Sequence, residues 1–149
     1  MHQQIRSMER IKLQLPPNLP FQTVIPVRVT DINYGGHVGN DSFLSIIHEV
    51  RLQFLAQYGY DEFNIEGLGT IMADVAIQYR GEVFYPDNLI AHVGLGSFGR
   101  TGFDIYYQFL SQNTGKEIVR AKTALVFYDY KLHKMMPVPP GFQAIVLGR

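Results

Sequence analysis

An acid, an amide and an imidazole lie close together in the loop Asp31-Ile-Asn-Tyr-Gly-Gly-His-Val-Gly-Asn40. A carboxylate or imidazole can move a proton, and amide or backbone N–H groups can stabilise an oxyanion. Asp31, Asn33 and His37 are therefore the first candidates for catalysis. The structural alternative is equally open: Asp31 and Asn33 would make Asx turns and cap a helix, and His37 would pack in the core.

Glu49 is a second candidate acid. It lies away from the apolar helix face marked by Phe43, on an arc shared with Ser42, Ser45 and Gln53. A glutamate on the outer face of an amphipathic helix is normally solvated. If a partner subunit covers this face, Glu49 becomes a candidate general base.

Two regular elements position these residues. Apolar residues at even spacing predict a strand over Phe21–Val29, directly before the loop. Apolar residues at helical spacing then predict a helix over Asp41–Tyr58. Asn40 or Asp41 would be its N-cap, and Gly59 would end it. The loop would therefore join the end of a strand to the start of a helix.

Four further alternating runs predict strands over Thr70–Tyr79, Leu89–Phe98, Phe103–Leu110 and Glu117–Tyr130. Turn sequences of hairpin length at Gly99–Gly102 and Asn113–Gly115 join neighbours in an antiparallel arrangement. The order predicts an α+β domain in which a curved antiparallel sheet packs on one long helix. We also expect an edge strand at Ile11–Leu15, a break at Pro137–Pro140, and docking or fraying of Phe142–Leu147.

Length and composition narrow the class of protein. A chain of 149 residues favours one domain spanning residues 1–149. Thirteen basic and thirteen acidic residues provide no excess charge to attract nucleic acid or an anionic membrane. No apolar run approaches about 18 residues, and Met1–Pro16 has no signal-peptide core. A cytoplasmic protein is predicted, and the lack of cysteine excludes thiolate catalysis.

Two motif matches do not have the context that their function requires. The loop matches the start of a calcium-binding EF-hand at Asp31, but Gly35 and Ser42 replace required ligands. Gly94–Gly99 matches a dinucleotide-binding fingerprint, but a strand pattern follows where a helix is needed. Arg100 at this turn remains a candidate phosphate contact, although an exposed arginine in a turn is more often solvated.

The spacing of the histidines and serines supports neither a metal site nor a catalytic serine. His48, His92 and His133 do not form a ligand pattern, so no metal site is expected. Ser42 and Ser45 lack the strand-turn-helix context of a nucleophilic serine.

The order of elements and the loop together resemble the hotdog-fold acyl-CoA thioesterases, the group that includes 4-hydroxybenzoyl-CoA thioesterase. The residues that carry the resemblance are Asp31-Ile-Asn33, Gly36-His37-Val38 with Asn40, and His48-Glu49-Val50-Arg51. The segment Tyr85-Pro-Asp-Asn-Leu89 is similar to the family's approach to the next strand. The likeness covers about Phe21–Tyr130, and the loop is its most specific part.

The resemblance implies a hotdog fold, with five or six antiparallel strands wrapped around a central helix. It also implies a homodimer or homotetramer that binds acyl-CoA between subunits, and it implies neither a metal nor a cofactor besides the CoA of the substrate. Gly36, Asn40 and Arg100 are the expected substrate-binding residues, beside a catalytic set of Asp31, Asn33, His37 and Glu49.

Asn33 departs from the family pattern. Many members have an acid at this position, and an amide cannot act as a base. Glu49 or Asp31 would then activate water, while Asn33 and His37 would position the water and the carbonyl group.

The predicted function is hydrolysis of an acyl-CoA by carboxylate-activated water. A non-catalytic acyl or acyl-CoA binding module and an acyl-CoA or acyl-carrier hydratase are the alternatives, because the fold alone does not separate these activities.

Overall fold

A computed structural model describes residues 7–148. Met1–Arg6 and Arg149, the ends of the predicted domain, lie outside the described residues. The elements are β1 (Phe21–Pro26), α1 (Asn40–Ala56), β2 (Gly69–Tyr79), β3 (Asn88–Phe98), β4 (Gly102–Ser111), β5 (Glu117–Asp129), β6 (Lys134–Met135) and α2 (Pro140–Val146). A 3-10 turn at Val29–Asp31 precedes α1. This order confirms the predicted α+β class.

The strands form one antiparallel sheet in the order β1-β3-β4-β5-β2, with β6 paired to β5. β3, β4 and β5 follow one another as a meander, whereas β1 and β2 are added at its two edges. In the register, Phe21 faces Val93 and Pro26 faces Asn88, so the loop after β1 lies at the end of the sheet where β3 begins.

α1 lies against one face of this sheet. Its residue Phe43 contacts Phe109 of β4 and Tyr79 of β2, with ring centroids 6.1 and 6.0 Å apart. Phe54 packs on Phe21 of β1 at 5.8 Å. The helix therefore touches strands across the whole width of the sheet and forms the centre of the apolar core.

The predicted bounds of β2 to β5 agree with the structure to within one residue. Two strand predictions were wrong. β1 ends at Pro26 and not at Val29, because the chain turns and the Arg28 N–H bonds the Asp31 side chain. Ile11–Leu15 is not a strand. The backbone of Leu13 bonds side chains of the sheet instead of a neighbouring backbone.

The ends of the helices also differ from prediction. α1 begins at Asn40 after the N-cap Gly39, which has no side chain to cap the helix, so neither Asn40 nor Asp41 is the cap. α1 ends at Ala56, two residues before the predicted end at Tyr58, and Gln57 is its C-cap. Gly59, which was predicted to end the helix, lies in the turn that follows and has a φ of 78°. The C-terminal segment docks as α2, and its Phe142 is fully buried.

Candidate active site

The buried carboxylate of Asp31 lies in the 3-10 turn after β1. Its side chain accepts a hydrogen bond from the Arg28 N–H at 2.8 Å and lies 3.5 Å from the Arg28 guanidinium. Asp31 is 5% exposed, and its carbonyl oxygen accepts the Gly39 N–H at 3.0 Å. Asp31 therefore fixes both ends of this turn and places Gly39 at the start of α1.

Asp31 and Glu49 line the same groove, which has a volume of about 510 Å³ and lies between β1 and the outer face of α1. Most of the remaining lining is apolar and comes from Val24, Ile25, Pro26, Ile46 and Leu52. The structure thus brings together Asp31 and Glu49, the two acids predicted from the sequence as bases, beside an apolar surface suited to an acyl group.

Glu49 is exposed within this groove. Its Oε1 accepts a hydrogen bond of 3.1 Å from the Gln53 side chain, one turn further along α1. A carboxylate has two oxygens with about four acceptor sites, so this bond leaves capacity to hold a water molecule. Of the two acids, Glu49 is the one whose carboxylate is less engaged by the fold.

Asn33 and His37 lie together in the glycine-rich part of the loop. The Asn33 Oδ1 accepts the Gly35 N–H at 3.0 Å, which is the predicted Asx turn. A Cβ on Gly35 would lie 3.4 Å from this oxygen and 3.6 Å from the His37 Nε2, so both side chains face one point. Gly36 next to it has a φ of 86°, which favours glycine. Neither Asn33 nor His37 lines the groove that holds the acids.

His37 contacts Phe84 and Glu82, two residues that no sequence pattern marked as part of the site. Its ring meets Phe84 edge-on at 6.3 Å, and its Nε2 lies 3.9 Å from the Glu82 carboxylate. Its Nδ1 lies 3.1 Å from the Val38 carbonyl oxygen, so in the neutral ring Nδ1 donates and Nε2 is left to accept. His37 and Phe84 form an isolated antiparallel β-bridge, although they are 47 positions apart in sequence. No local sequence pattern around Glu82 or Phe84 indicates this contact.

The start of α1 offers backbone donors beside the loop. The Ser42 N–H donates to the Gly39 carbonyl oxygen, and the Asp41 N–H donates to the Asn40 side chain. The backbone N–H of Asn40 is not used by either of these bonds. First-turn N–H groups stabilise anions because they have no partner within the helix. Asn40 also accepts the Tyr79 hydroxyl at its carbonyl oxygen, 3.1 Å away. Burial raises the pKa of Tyr79, and the Asp41 carboxylate adds to this effect, so the hydroxyl stays a donor.

Arg100 lies apart from the other candidate residues. It is in the turn between β3 and β4, whereas the loop lies where β3 begins. At about 3.3 Å per residue, the length of β3 separates these two ends by roughly 35 Å. A single chain therefore does not bring Arg100 to the acids or to His37.

Residues 7–148 hold neither a candidate metal site nor a helix that could span a membrane. No group of three or more His, Cys, Asp or Glu side chains in this range is arranged to hold a metal ion. None of the helices found there has the length and apolar character needed to cross a membrane.

A comparison with protein-family models identifies one family for most of this chain. The family model of the thioesterase-like superfamily matches residues 27–146. No curated protein sequence gives a significant match.

Similar solved structures include a putative thioesterase from Pseudomonas aeruginosa, with a TM-score of 0.75 and 20% identity over 84% of this chain and 96% of that one. A 1,4-dihydroxy-2-naphthoyl-CoA thioesterase from Synechocystis gives a TM-score of 0.77 at 19% identity over 85% and 95%. A DHNA-CoA thioesterase from Staphylococcus aureus gives 0.75 at 15% identity over 85% and 87%.

Proposed function

Because the chain belongs to the thioesterase-like superfamily and has the hotdog fold, we propose that it hydrolyses an acyl-CoA thioester to a free acid and CoA. The observation that carries this proposal is the groove in which Asp31 and Glu49 lie beside apolar side chains. A thioester with an apolar acyl group needs both an apolar wall and a base that activates water.

Glu49 is the proposed general base. The Asp31 carboxylate is bonded to the Arg28 N–H and shapes the turn, whereas Glu49 contacts the Gln53 amide and otherwise faces the groove. In the first step Glu49 takes a proton from water while the water oxygen bonds to the carbonyl carbon. The carbon–sulfur bond then breaks, and the departing CoA sulfur receives the proton from Glu49.

The loop and the start of α1 would stabilise the oxyanion formed in the first step. The Asn40 N–H is the candidate backbone donor, and Asn33 and His37 are candidate positioning groups. The groove is open on its outer side in a single chain, and Glu49 is exposed. In this proposal a second copy of the chain covers the groove, excludes bulk water and brings its own loop towards Glu49.

Release of free thiol from a panel of acyl-CoA esters tests the proposal. The panel includes aliphatic and aromatic acyl groups, because one similar structure is a dihydroxynaphthoyl-CoA thioesterase. We expect Glu49→Gln to lower kcat by about 10²-fold to 10⁴-fold, the usual contribution of a general base. Asp31→Asn and His37→Ala separate the other two candidate roles.

Glu66→Gln is the matched control, because it makes the same carboxylate-to-amide change outside the groove. The Glu66 Oε1 accepts the Tyr60 hydroxyl, and a glutamine oxygen can accept it as well. Acyl-CoA binding without thiol release by the wild type would favour the binding module. Unchanged turnover in Glu49→Gln, Asp31→Asn and His37→Ala would reject the site.

A further inference from the structure

Four cationic side chains gather at the end of the sheet where β2 ends. Arg10 and Lys12 come from the segment before β1, Arg80 follows β2, and Arg120 belongs to β5. Arg10, Lys12 and Arg80 line a hollow of about 270 Å³. Lys12, Arg80 and Arg120 line a second hollow of about 360 Å³, so the two hollows adjoin. We call these four residues the cationic cluster.

The segment that contributes Arg10 and Lys12 is held against the sheet. The Leu13 N–H donates to the Gln78 side chain at 2.9 Å, and the Arg120 guanidinium donates to the Leu13 carbonyl oxygen at 3.0 Å. These bonds join residues 65 and 107 positions apart in sequence. Arg10 and Lys12 therefore have a defined place next to Arg80.

The cationic cluster carries more positive charge than its acidic neighbour can balance. The Glu117 carboxylate lies 2.5 Å from the Arg80 guanidinium and 2.9 Å from that of Arg120. No ion pair within the described range 7–148 involves Arg10 or Lys12. In a chain whose total formal charge is zero, such a cluster produces a local positive potential that attracts anions.

Tyr79 connects the first hollow of the cationic cluster with the start of α1, because it lines that hollow and also contacts Phe43 of the helix. Tyr79 directly precedes Arg80, and its hydroxyl bonds the carbonyl oxygen of Asn40, the first residue of the helix. At 1.5 Å per residue, Glu49 lies roughly 14 Å further along the helix axis. A long, flexible arm is needed to join an anion at the cluster to a thioester at Glu49.

We propose that the cationic cluster binds the phosphate groups of CoA, an inference that rests on the proposed function. CoA carries a pyrophosphate and a 3′-phosphate at one end and the thioester at the end of its pantetheine arm. Arg and Lys pair with phosphate through charge-assisted hydrogen bonds. Binding at the cluster holds the nucleotide outside the groove while the arm carries the thioester towards Glu49.

The test compares the wild type with the double variant Arg10→Ala and Lys12→Ala. Both side chains are exposed, so their removal leaves the core intact. We expect KM for an acyl-CoA to rise about fivefold to tenfold with kcat unchanged. KM for the matching S-acyl-pantetheine, which lacks the nucleotide, should not change. The double variant Lys131→Ala and Lys134→Ala, which removes two exposed charges at the opposite end of β5, is the control.

Calorimetry with 3′,5′-ADP and with CoA measures binding apart from turnover. The wild type should bind both probes, and the cluster variant should bind both more weakly by a similar factor. This result would support the inference even if no acyl-CoA were hydrolysed. If the cluster variant hydrolyses acyl-CoA with the same KM as the wild type, the inference is overturned and the proposed function stays intact.

Two other outcomes also overturn the inference. One is an equal rise of KM for the acyl-CoA and for the acyl-pantetheine, because pantetheine has no phosphate to lose. The other is a loss of turnover confined to an acyl-carrier-protein thioester, which would assign the cluster to docking of an acidic protein. Raised ionic strength should weaken CoA binding by the wild type more than by the variant.

Discussion

Replacing Glu62 with glutamine should destabilise the protein through the buried Arg51. Arg51 on α1 is 6% exposed, and its Nε donates to the Glu62 Oε1 at 2.5 Å. Burial alone would lower the pKa of Arg51, but interactions with Tyr107 and Glu62 outweigh it and raise the pKa. Glu62→Gln keeps the shape of the side chain and removes its charge, so Arg51 stays charged without its counter-ion.

The expected cost lies between two known limits. Breaking a fully buried ion pair costs about 3–5 kcal/mol, whereas an exposed pair contributes about 0–1 kcal/mol. The Glu62 side chain is 20% exposed and that of Arg51 is 8% exposed, so the expected cost lies midway between the two limits. We expect a loss of about 2 kcal/mol, which corresponds to a fall in Tm of roughly 4–8 °C for a chain of this length.

Urea and thermal unfolding at one protein concentration measure this loss. Glu66→Gln is the control, since its Tyr60 contact survives the change. The m-value should be unchanged in both variants, because neither alters the surface exposed on unfolding. If Glu62→Gln costs less than about 0.5 kcal/mol, the range of ordinary surface substitutions, the pair does not stabilise the buried charge.

Two further predictions concern the loop and the sheet. Gly36→Ala should lower the free energy of unfolding by about 1–2 kcal/mol and reduce thiol release, because Gly36 has a φ of 86°. A loss of stability no larger than that caused by Gly35→Ala would contradict this prediction. Burial alone would raise the pKa of Glu117, but hydrogen bonds from Gln108 and Arg120 outweigh it and lower the pKa. The unfolded chain then binds more protons, so this stabilisation is present above the ordinary glutamate pKa of 4.5 and is lost as pH falls through the lower folded value. Glu117→Gln should therefore flatten the acid side of the stability curve; superimposable acid limbs for wild type and variant would argue against it.

The sequence predicted β2 to β5 well because their signals are local. Alternating side chains mark each strand, and turn residues separate one from the next. Ile11–Leu15 has a similar pattern but lies over side chains of the sheet, which alternation within the segment does not encode. Pro26 was included inside a longer strand, although the turn that follows depends on the Asp31 side chain.

The candidate site was predictable in its residue types more than in its arrangement. Asp31 stood out as an acid in the loop and Glu49 as an acid on the outer face of the predicted helix, and the structure places both in one groove. Their shared groove depends on how β1 packs beside α1, which spacing alone does not determine. Contacts of His37 with Glu82 and Phe84 join distant segments and have no counterpart in local sequence.

The order of strands in the sheet also bears on how the chain folds. β3, β4 and β5 pair with their sequence neighbours, whereas β1 must find β3 with Phe21 opposite Val93, and β2 must find β5 with Gly69 opposite Tyr128. Closing such long loops reduces chain entropy before the stabilising contacts between the strands have formed, and this slows the pairing of distant strands. We expect the β3–β5 meander to form the folding nucleus and the two edge strands to join it later. The groove that holds Asp31 and Glu49, and the loop after β1, would then be assembled around a sheet that already exists.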